Sequence, residues 1–173
     1  MNRGSISHSL IKTIIGVAEN RGADRASLLA CISVSEEVLQ DALSRAPLEK
    51  VITLFQLIIE QTGDQAIGLH VAEEIRPGSL SALGYAMMSC RNSQQAIELQ
   101  KSFGGLIADC AALNLVKDDK YGHATFTVKD DDFELVRPIN DMFIAIFWVY
   151  GKWITRVDAE LQVLVLHIYR QLT

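Results

Sequence analysis

The sequence has few cysteines, prolines and aromatic residues, and it has no long apolar run. Among 173 residues there are 3 cysteines, 3 prolines and 7% aromatic residues. An odd number of widely separated cysteines argues against a disulfide framework and favours reduced, buried thiols in a cytoplasmic protein. The longest apolar run, residues 142–150, is well short of the roughly 20 residues that span a bilayer, so it predicts a core helix. The N-terminus lacks the apolar stretch and cleavage site of a signal peptide, which agrees with a cytoplasmic protein without a membrane segment.

Positive charge is scarce as well. The chain has 16 Lys and Arg against 21 Asp and Glu, a net charge of −5 at pH 7. Because Lys and Arg that meet phosphates dominate nucleic-acid binding, this chain is not expected to hold DNA by itself. Its 49% hydrophobic and 21% charged residues are typical of a globular protein. The length predicts one domain, residues 1–173.

Motifs of the common catalytic and cofactor sites are missing. There is no Walker loop, dinucleotide glycine pattern or nucleophile elbow, so neither an enzyme nor a cofactor is predicted. Of the four histidines, only His70 has acidic residues at metal-site spacing, Glu73 and Glu74. The alternative for His70 is a partly exposed surface histidine. A haem sensor with His70 or His123 as the axial ligand is a further hypothesis.

Apolar residues recur at helical spacing through the first 110 residues. The pattern predicts helices over residues 8–20, 47–62, 65–74, 80–91 and 93–110. We expect Pro47 at the first position of its helix, Asp64 and Ser79 as N-caps, and Asn92 at the start of the last helix. Residues 1–7 are polar and predicted to be frayed.

Residues 24–43 have the rhythm of a short helix, a turn and a second helix. A DNA-binding helix-turn-helix has a similar pattern, but the second helix carries Glu36, Glu37 and Asp41, which would repel phosphates. The alternative is a pair of short packing helices with Ser35 as an N-cap.

Beyond residue 110 the apolar period changes from 3.6 to 2. Alternation over 113–115 and 123–129, on either side of a polar turn at 118–122, predicts a β-hairpin with one solvated face.

The pattern of the last part of the chain predicts one more helix and one more strand. Pro138 biases Arg137 away from helix, so a helix is expected from Pro138 to about residue 153. The apolar run 161–168 has the length of a central strand. The expected fold class is α+β, predominantly helical, with a small, mainly antiparallel sheet from the C-terminal half.

Glycine stands at an unusual place in the segment 75–90. Gly84 lies among Leu80, Leu83 and Met87, in the apolar face of a predicted helix. Glycine within a helix costs roughly 1 kcal/mol relative to alanine. Close approach of another backbone or of a ligand is the usual reason for accepting that cost.

Four short patterns carry a resemblance to a known family. They are TGDQAIGL at 62–69, IRPGSL at 75–80, LGYAMMS at 83–89 and AIEL at 96–99. In order and spacing they resemble the arabinose-binding-type N-terminal domain of AraC transcription regulators. The resemblance covers residues 9–167 of this chain.

The resemblance implies a cytoplasmic bacterial sensor that binds a small effector non-covalently. It also implies a homodimer and a C-terminal helix-turn-helix domain for DNA binding, which we expect to be absent from this chain. The class of the effector is not implied. The alternative is a helical dimerisation or protein-interaction module that works without a ligand.

A pocket for a small effector is expected to be apolar and aromatic with a few polar groups. The candidate ligand-binding residues are Tyr85, Met88, Phe103, Arg137, Asn140, Phe143, Phe147 and Trp148. Free N–H groups at the predicted start of the last helix, together with Arg137, would suit an anionic headgroup. Two alternatives stay open: the aromatic stripe forms core only, and Arg137 pairs with Asp141.

Overall fold

Helices form most of the structure. The computed structural model describes residues 3–41, 43–117, 122–130 and 132–155. The α-helices in these ranges are α1 (His8–Glu19), α2 (Arg25–Ile32), α3 (Glu36–Gln40), α4 (Leu48–Thr62), α5 (Ile67–Glu73), α6 (Ser81–Met88), α7 (Ser93–Phe103) and α8 (Phe133–Thr155). The strands are β1 (Ser5–Ser7), β2 (Arg45–Pro47), β3 (Ala111–Lys117) and β4 (Gly122–Val128), and 3-10 turns cover Pro77–Leu80 and Gly104–Leu106. The strands form two antiparallel pairs, β1–β2 and β3–β4, so the expected helical α+β class is confirmed.

Residues Ser5–Ser7 form strand β1, so the prediction that residues 1–7 are frayed is wrong for these three. This strand pairs antiparallel with β2, with Ile6 opposite Ala46. Ile6 is completely buried and forms an isolated bridge with Ala108. A single isoleucine between two serines gives no detectable period, so only the partners that cover it reveal this strand.

The strongly periodic helices are found where they were predicted. Asn92 caps α7 by accepting from the N–H of Gln95, and Ser35 caps α3 by accepting from the N–H of Val38. Gly63 ends α4 in the left-handed region, with φ of 70°. The two short helices predicted between 24 and 43 are therefore present as α2 and α3.

Other predicted helix starts are wrong by one or two residues. Pro47 belongs to β2, and α4 begins at Leu48. Asp64 does not cap α5 but accepts from the N–H of Ala66 in the preceding turn. Ser79 lies within a 3-10 turn, where its Oγ accepts from the N–H of Arg76. In Asp64 and Ser79 the polar side chain bonds the backbone of a local turn, which competes with helix capping.

The helix predicted to continue to residue 110 is shorter. It ends at Phe103, where Gly104 begins a 3-10 turn. Cys110 therefore lies just before β3, buried, and burial raises the pKa of its thiol to about 12. Cys31 and Cys90 are only partly buried, so burial of all three thiols is not found.

The predicted β-hairpin is confirmed. Leu113 pairs with Phe126 and Ala111 with Val128 on the inner face, whereas Asn114 is exposed on the other. The residues of the predicted turn at 118–121 and the strand predicted over 161–168 lie outside the described residues.

Helix α8 begins five residues earlier than predicted, and Pro138 lies inside it. Asp132 accepts from the N–H of Leu135 and so supports the first turn. A proline near the N-terminus of a long helix forfeits a single backbone bond, which the buried face of α8 offsets.

The core lies where α8 packs against α5 and α4. Completely buried members include Ile139 and Met142 from α8, Val71 from α5 and Leu54 from α4. At Gly68 of α5 the two helix backbones approach so closely that an added Cβ would lie 2.1 Å from the carbonyl oxygen of Pro138. Helix α8 is thus held firmly on one side and leaves its other side to the hairpin.

Candidate functional site

A cavity of about 670 Å³ opens between the β3–β4 hairpin, α8 and the segment from α6 to β3. Its lining residues are Leu80, Met87, Gln100, Lys101, Gly104, Gly105, Ile107, Ala108, Ala111, Ala112, Leu113, Asn114, Val116, Phe126, Phe143, Ile146, Phe147 and Tyr150. Its size falls within the range of roughly 300–1,000 Å³ that is typical of small-molecule pockets.

One face of α8 supplies the wall of the cavity. Phe143, Ile146, Phe147 and Tyr150 recur at spacings of three and four residues, so they lie in one row along the helix. Phe143, Ile146 and Tyr150 are buried, whereas Phe147 is partly exposed. The lining therefore has a buried part, which includes Ile146 and Tyr150 and is called the enclosed end below, and a part that solvent reaches, the accessible side.

Three phenylalanines join the hairpin to this wall. The ring of Phe126 stacks on that of Phe143, with centroids 5.9 Å apart and planes at 12°. It meets Phe147 edge-on at 5.9 Å. Because such pairs stabilise beyond their buried area, the cluster sets the distance between β4 and α8.

Polar side chains are concentrated at the accessible side. Gln100 and Lys101 of α7 line the cavity there, and Lys101 is exposed. Lys101 makes no hydrogen bond or ion pair with any residue in the part of the chain that the structure describes. Its ammonium group is thus available to a ligand or to water.

Tyr150 brings one hydroxyl to the enclosed end. Its oxygen lies 3.5 Å from the carbonyl oxygen of Arg76, to which it donates. Burial, and to a lesser extent the neighbouring Tyr85, raises the pKa of the Tyr150 hydroxyl far above its usual range. The group is therefore a neutral donor and acceptor at physiological pH.

Of the eight residues proposed from the sequence, Phe143 and Phe147 line the cavity. Tyr85 and Met88 of α6 and Phe103 of α7 are exposed and do not line it. In α6 the buried lining residue is Met87, one position before Met88. The apolar spacing had already placed Met87 in the buried face, so the error lay in choosing Tyr85 and Met88, which point away from that face because successive helical residues point about 100° apart.

Arg137, Asn140 and Trp148 do not line the cavity either. Since α8 begins at Phe133, the N–H groups of Arg137 and Asn140 lie inside the helix, and the expected anion site at a helix start is wrong. Arg137 instead pairs with Asp141, with Nε 3.8 Å from Oδ2. Burial raises the pKa of Asp141, and the charge of Arg137 opposes that rise.

Asn140 and His70 have local roles. Asn140 is buried, and its Oδ1 has no hydrogen-bond partner among the described residues. His70 is partly exposed, and its Nδ1 lies 2.6 Å from Oδ2 of Asp64, which Arg21 also approaches. Within the described ranges no three His, Cys, Asp or Glu residues are grouped to hold a metal ion.

Sequence reasoning missed the polar rim and the contribution of the α7–β3 connection. Gln100 and Lys101 belong to the last turn of α7, and Gly104 and Gly105 follow directly. The two adjacent glycines were the available signal, because the helix ends there and the chain turns towards β3.

None of the helices in the described ranges is both long and apolar enough to cross a membrane.

Two comparisons, one with known proteins and one with protein families, bear on the identity of the chain. No curated protein matches the chain. The family model for the arabinose-binding domain of AraC transcription regulators, N-terminal, matches residues 22–171, and its members are ligand-binding regulatory domains rather than enzymes. The chain therefore belongs to the family of N-terminal arabinose-binding domains of AraC transcription regulators.

Proposed function

We propose that this chain is a sensor domain that binds a small effector non-covalently in the cavity between the hairpin and α8. The observation that carries the proposal is the cavity itself, about 670 Å³ and lined mainly by apolar and aromatic side chains. Membership of a family of ligand-binding regulatory domains supports the same use. The output is control of the helix-turn-helix DNA-binding domain of the regulator.

The position of the cavity offers a route for the signal. An effector there would contact Leu113 and Phe126 on the hairpin and Phe143 and Phe147 on α8 at the same time. A ligand that binds one arrangement of hairpin and helix more tightly shifts the population towards it. Because α8 also packs on α5 and α4, such a shift would reach the body of the domain.

The cavity can be tested by filling it. Ala111 is half-buried on the inner face of β3, diagonal to Phe126, and an aromatic residue is well tolerated in a strand. The wild-type domain should gain thermal stability with one compound in a screen of amino acids, sugars, fatty acids and aromatic acids. At a ligand concentration of 100 times Kd the gain is about 2.7 kcal/mol. The variant Ala111→Phe should lose that gain, because the phenyl ring occupies the ligand's space.

The control places the same substitution elsewhere. Ala30→Phe changes an exposed residue of α2 that does not line the cavity, and it should keep the full ligand response. A screen without any response, together with a melting temperature that depends on protein concentration alone, would favour the ligand-independent interaction module instead.

The proposal includes a homodimer, which an exposed apolar patch supports. Tyr85 and Met88 of α6 and Phe103 at the end of α7 are 61%, 41% and 51% exposed, and Leu106 follows at 63%. Helices α6 and α7 contact each other, so these side chains can form one surface. Exposed apolar groups of this kind are typical of interaction sites.

A charge placed in this patch should separate the dimer. Phe103→Asp is expected to weaken self-association about tenfold or more, because a carboxylate would be buried without a partner. Sedimentation equilibrium measures the dissociation constant, and Leu43→Asp, at another exposed leucine, should leave it unchanged. A wild-type domain that is monomeric at all concentrations would contradict the dimer.

A further inference from the structure

We infer that the effector is an amphipathic carboxylate, with its hydrocarbon body in the enclosed end of the cavity and its carboxylate at Lys101. This inference rests on the proposed function, since it assumes that the cavity is the effector site. It is carried by the uneven distribution of polar groups in the lining.

The described side chains that line the enclosed end are mainly hydrocarbon. Leu80 and Met87 face it from the α6 region, Ile107 from the segment before β3, and Ile146 from α8, and all four are buried. Burial of apolar ligand surface against such walls is favourable in proportion to its area. The body of the ligand is thus alkyl or aromatic.

The same end is unsuited to a sugar. A pentose carries several hydroxyl groups, and each needs a hydrogen-bond partner when it leaves water. Among the described side chains at the enclosed end, only Tyr150 has a polar atom, and its hydroxyl already donates to the carbonyl of Arg76. A buried pentose would leave most of its hydroxyl groups without side-chain partners.

The rim has the complementary chemistry for an anion. Lys101 lines the cavity, is exposed and has no ion pair among the described residues, in a chain whose net charge is −5. Gln100, the residue before Lys101, also lines the cavity and has an amide group that can donate. Gly105 leaves space beside this group, whereas the amide of Gln100 covers Gly104, with its Nε2 2.6 Å from the position of an added Cβ. A carboxylate there keeps contact with water while its hydrocarbon body is enclosed.

Calorimetric titration with matched probes tests this inference. The probes are decanoate, octanoate, decanol and L-arabinose, each below the concentration at which it aggregates. We expect decanoate to bind about threefold to fivefold more tightly than decanol, as an exposed ion pair allows. Lengthening octanoate to decanoate should tighten binding about 15-fold, because each buried methylene contributes a factor of about four.

Two lysine variants make the test specific. Lys101→Gln should abolish the preference for decanoate over decanol, whereas Lys129→Gln, which removes an exposed charge that does not line the cavity, should retain it. Added salt should reduce the preference in the wild type and not in Lys101→Gln. Ala111→Phe should prevent binding of decanoate and decanol alike.

Failure of this inference can be distinguished from failure of the proposed function. Equal affinity for decanoate and decanol, or a preference that survives in Lys101→Gln, overturns the carboxylate and leaves the cavity as the effector site. Binding of L-arabinose without binding of decanoate overturns this inference and supports the proposed function. If no probe binds, and no compound of the wider screen loses its stabilising effect in Ala111→Phe, the proposed function fails together with this inference.

Discussion

Replacing Gly68 by alanine is expected to lower the free energy of unfolding by about 3 kcal/mol, at the upper end of the usual effect of overpacking. An ideal Cβ at this position would lie 2.1 Å from the carbonyl oxygen of Pro138, 3.0 Å from its carbonyl carbon and 3.1 Å from the nitrogen of Met142. These atoms belong to the backbone of α8, so no side-chain rotation can relieve the clash. The two helices must move apart, and the buried contact between Val71 and its neighbours in α8 would loosen.

A matched glycine provides the control. Gly16 lies in α1 with nothing within 4 Å of the position of its missing Cβ. Gly16→Ala should raise the free energy of unfolding by about 0.5–1 kcal/mol, because alanine restricts the unfolded chain and favours helix. Urea denaturation measures both variants, and the opposite signs are the result to look for. A Gly68→Ala domain as stable as the wild type would mean that α5 and α8 are not packed as described.

Replacing Gly84 by alanine should also destabilise the domain by about 3 kcal/mol, and it should disturb the cavity as well. The added Cβ would lie 2.1 Å from the carbonyl oxygen of Pro77 and 2.6 Å from the hydroxyl oxygen of Tyr150. Tyr150 lines the cavity and packs against Trp153, with ring centroids 5.0 Å apart. A shift of its ring should therefore change the fluorescence of Trp153 and weaken ligand binding.

A double variant separates the two contacts. Tyr150→Phe removes the hydroxyl, so Gly84→Ala in that background is relieved of one clash but keeps the clash with the Pro77 backbone. We expect it to recover only part of the lost stability, measured as a coupling energy in a double-mutant cycle. Full recovery would show that Pro77 can move away, and no recovery would show that the Tyr150 hydroxyl is not in contact with residue 84.

The fold could be predicted where one element carries its own pattern. The apolar stripes of α1 and α4 and the alternation of β3 and β4 are repeated over enough residues to identify them. Prediction failed where an element depends on a distant partner. Strand β1 is defined by its pairing with β2. Pro138 is tolerated in α8 because residues before and after it in the helix, Val136 and Ile139, are buried.

In the candidate site, too, residues with a local pattern could be predicted and residues placed by tertiary packing could not. Phe143 and Phe147 lie in a long periodic helix, so their common face could be predicted. Met87 could be placed in the apolar face of its helix but not in a cavity, and Lys101 could not be selected from its neighbours, because the part of a helix that borders a cavity depends on how that helix is docked. Neither could Phe126 be assigned to the same cluster as Phe143, since they are far apart in the chain.

The sequence by itself determined the fold class, the family, the need for a close approach at Gly84 and the aromatic face of α8. These properties depend on local periodicity and on residue types in order, which a single chain displays directly. The tertiary structure decided that Pro77 and Tyr150 are what approaches Gly84. It also decided that the cavity has an apolar end and an exposed lysine, Lys101, that forms no ion pair with the described residues. The reason is physical: a cavity is bounded by elements that are brought together only when α8, the hairpin and the end of α7 pack, and no local pattern records the space they leave between them.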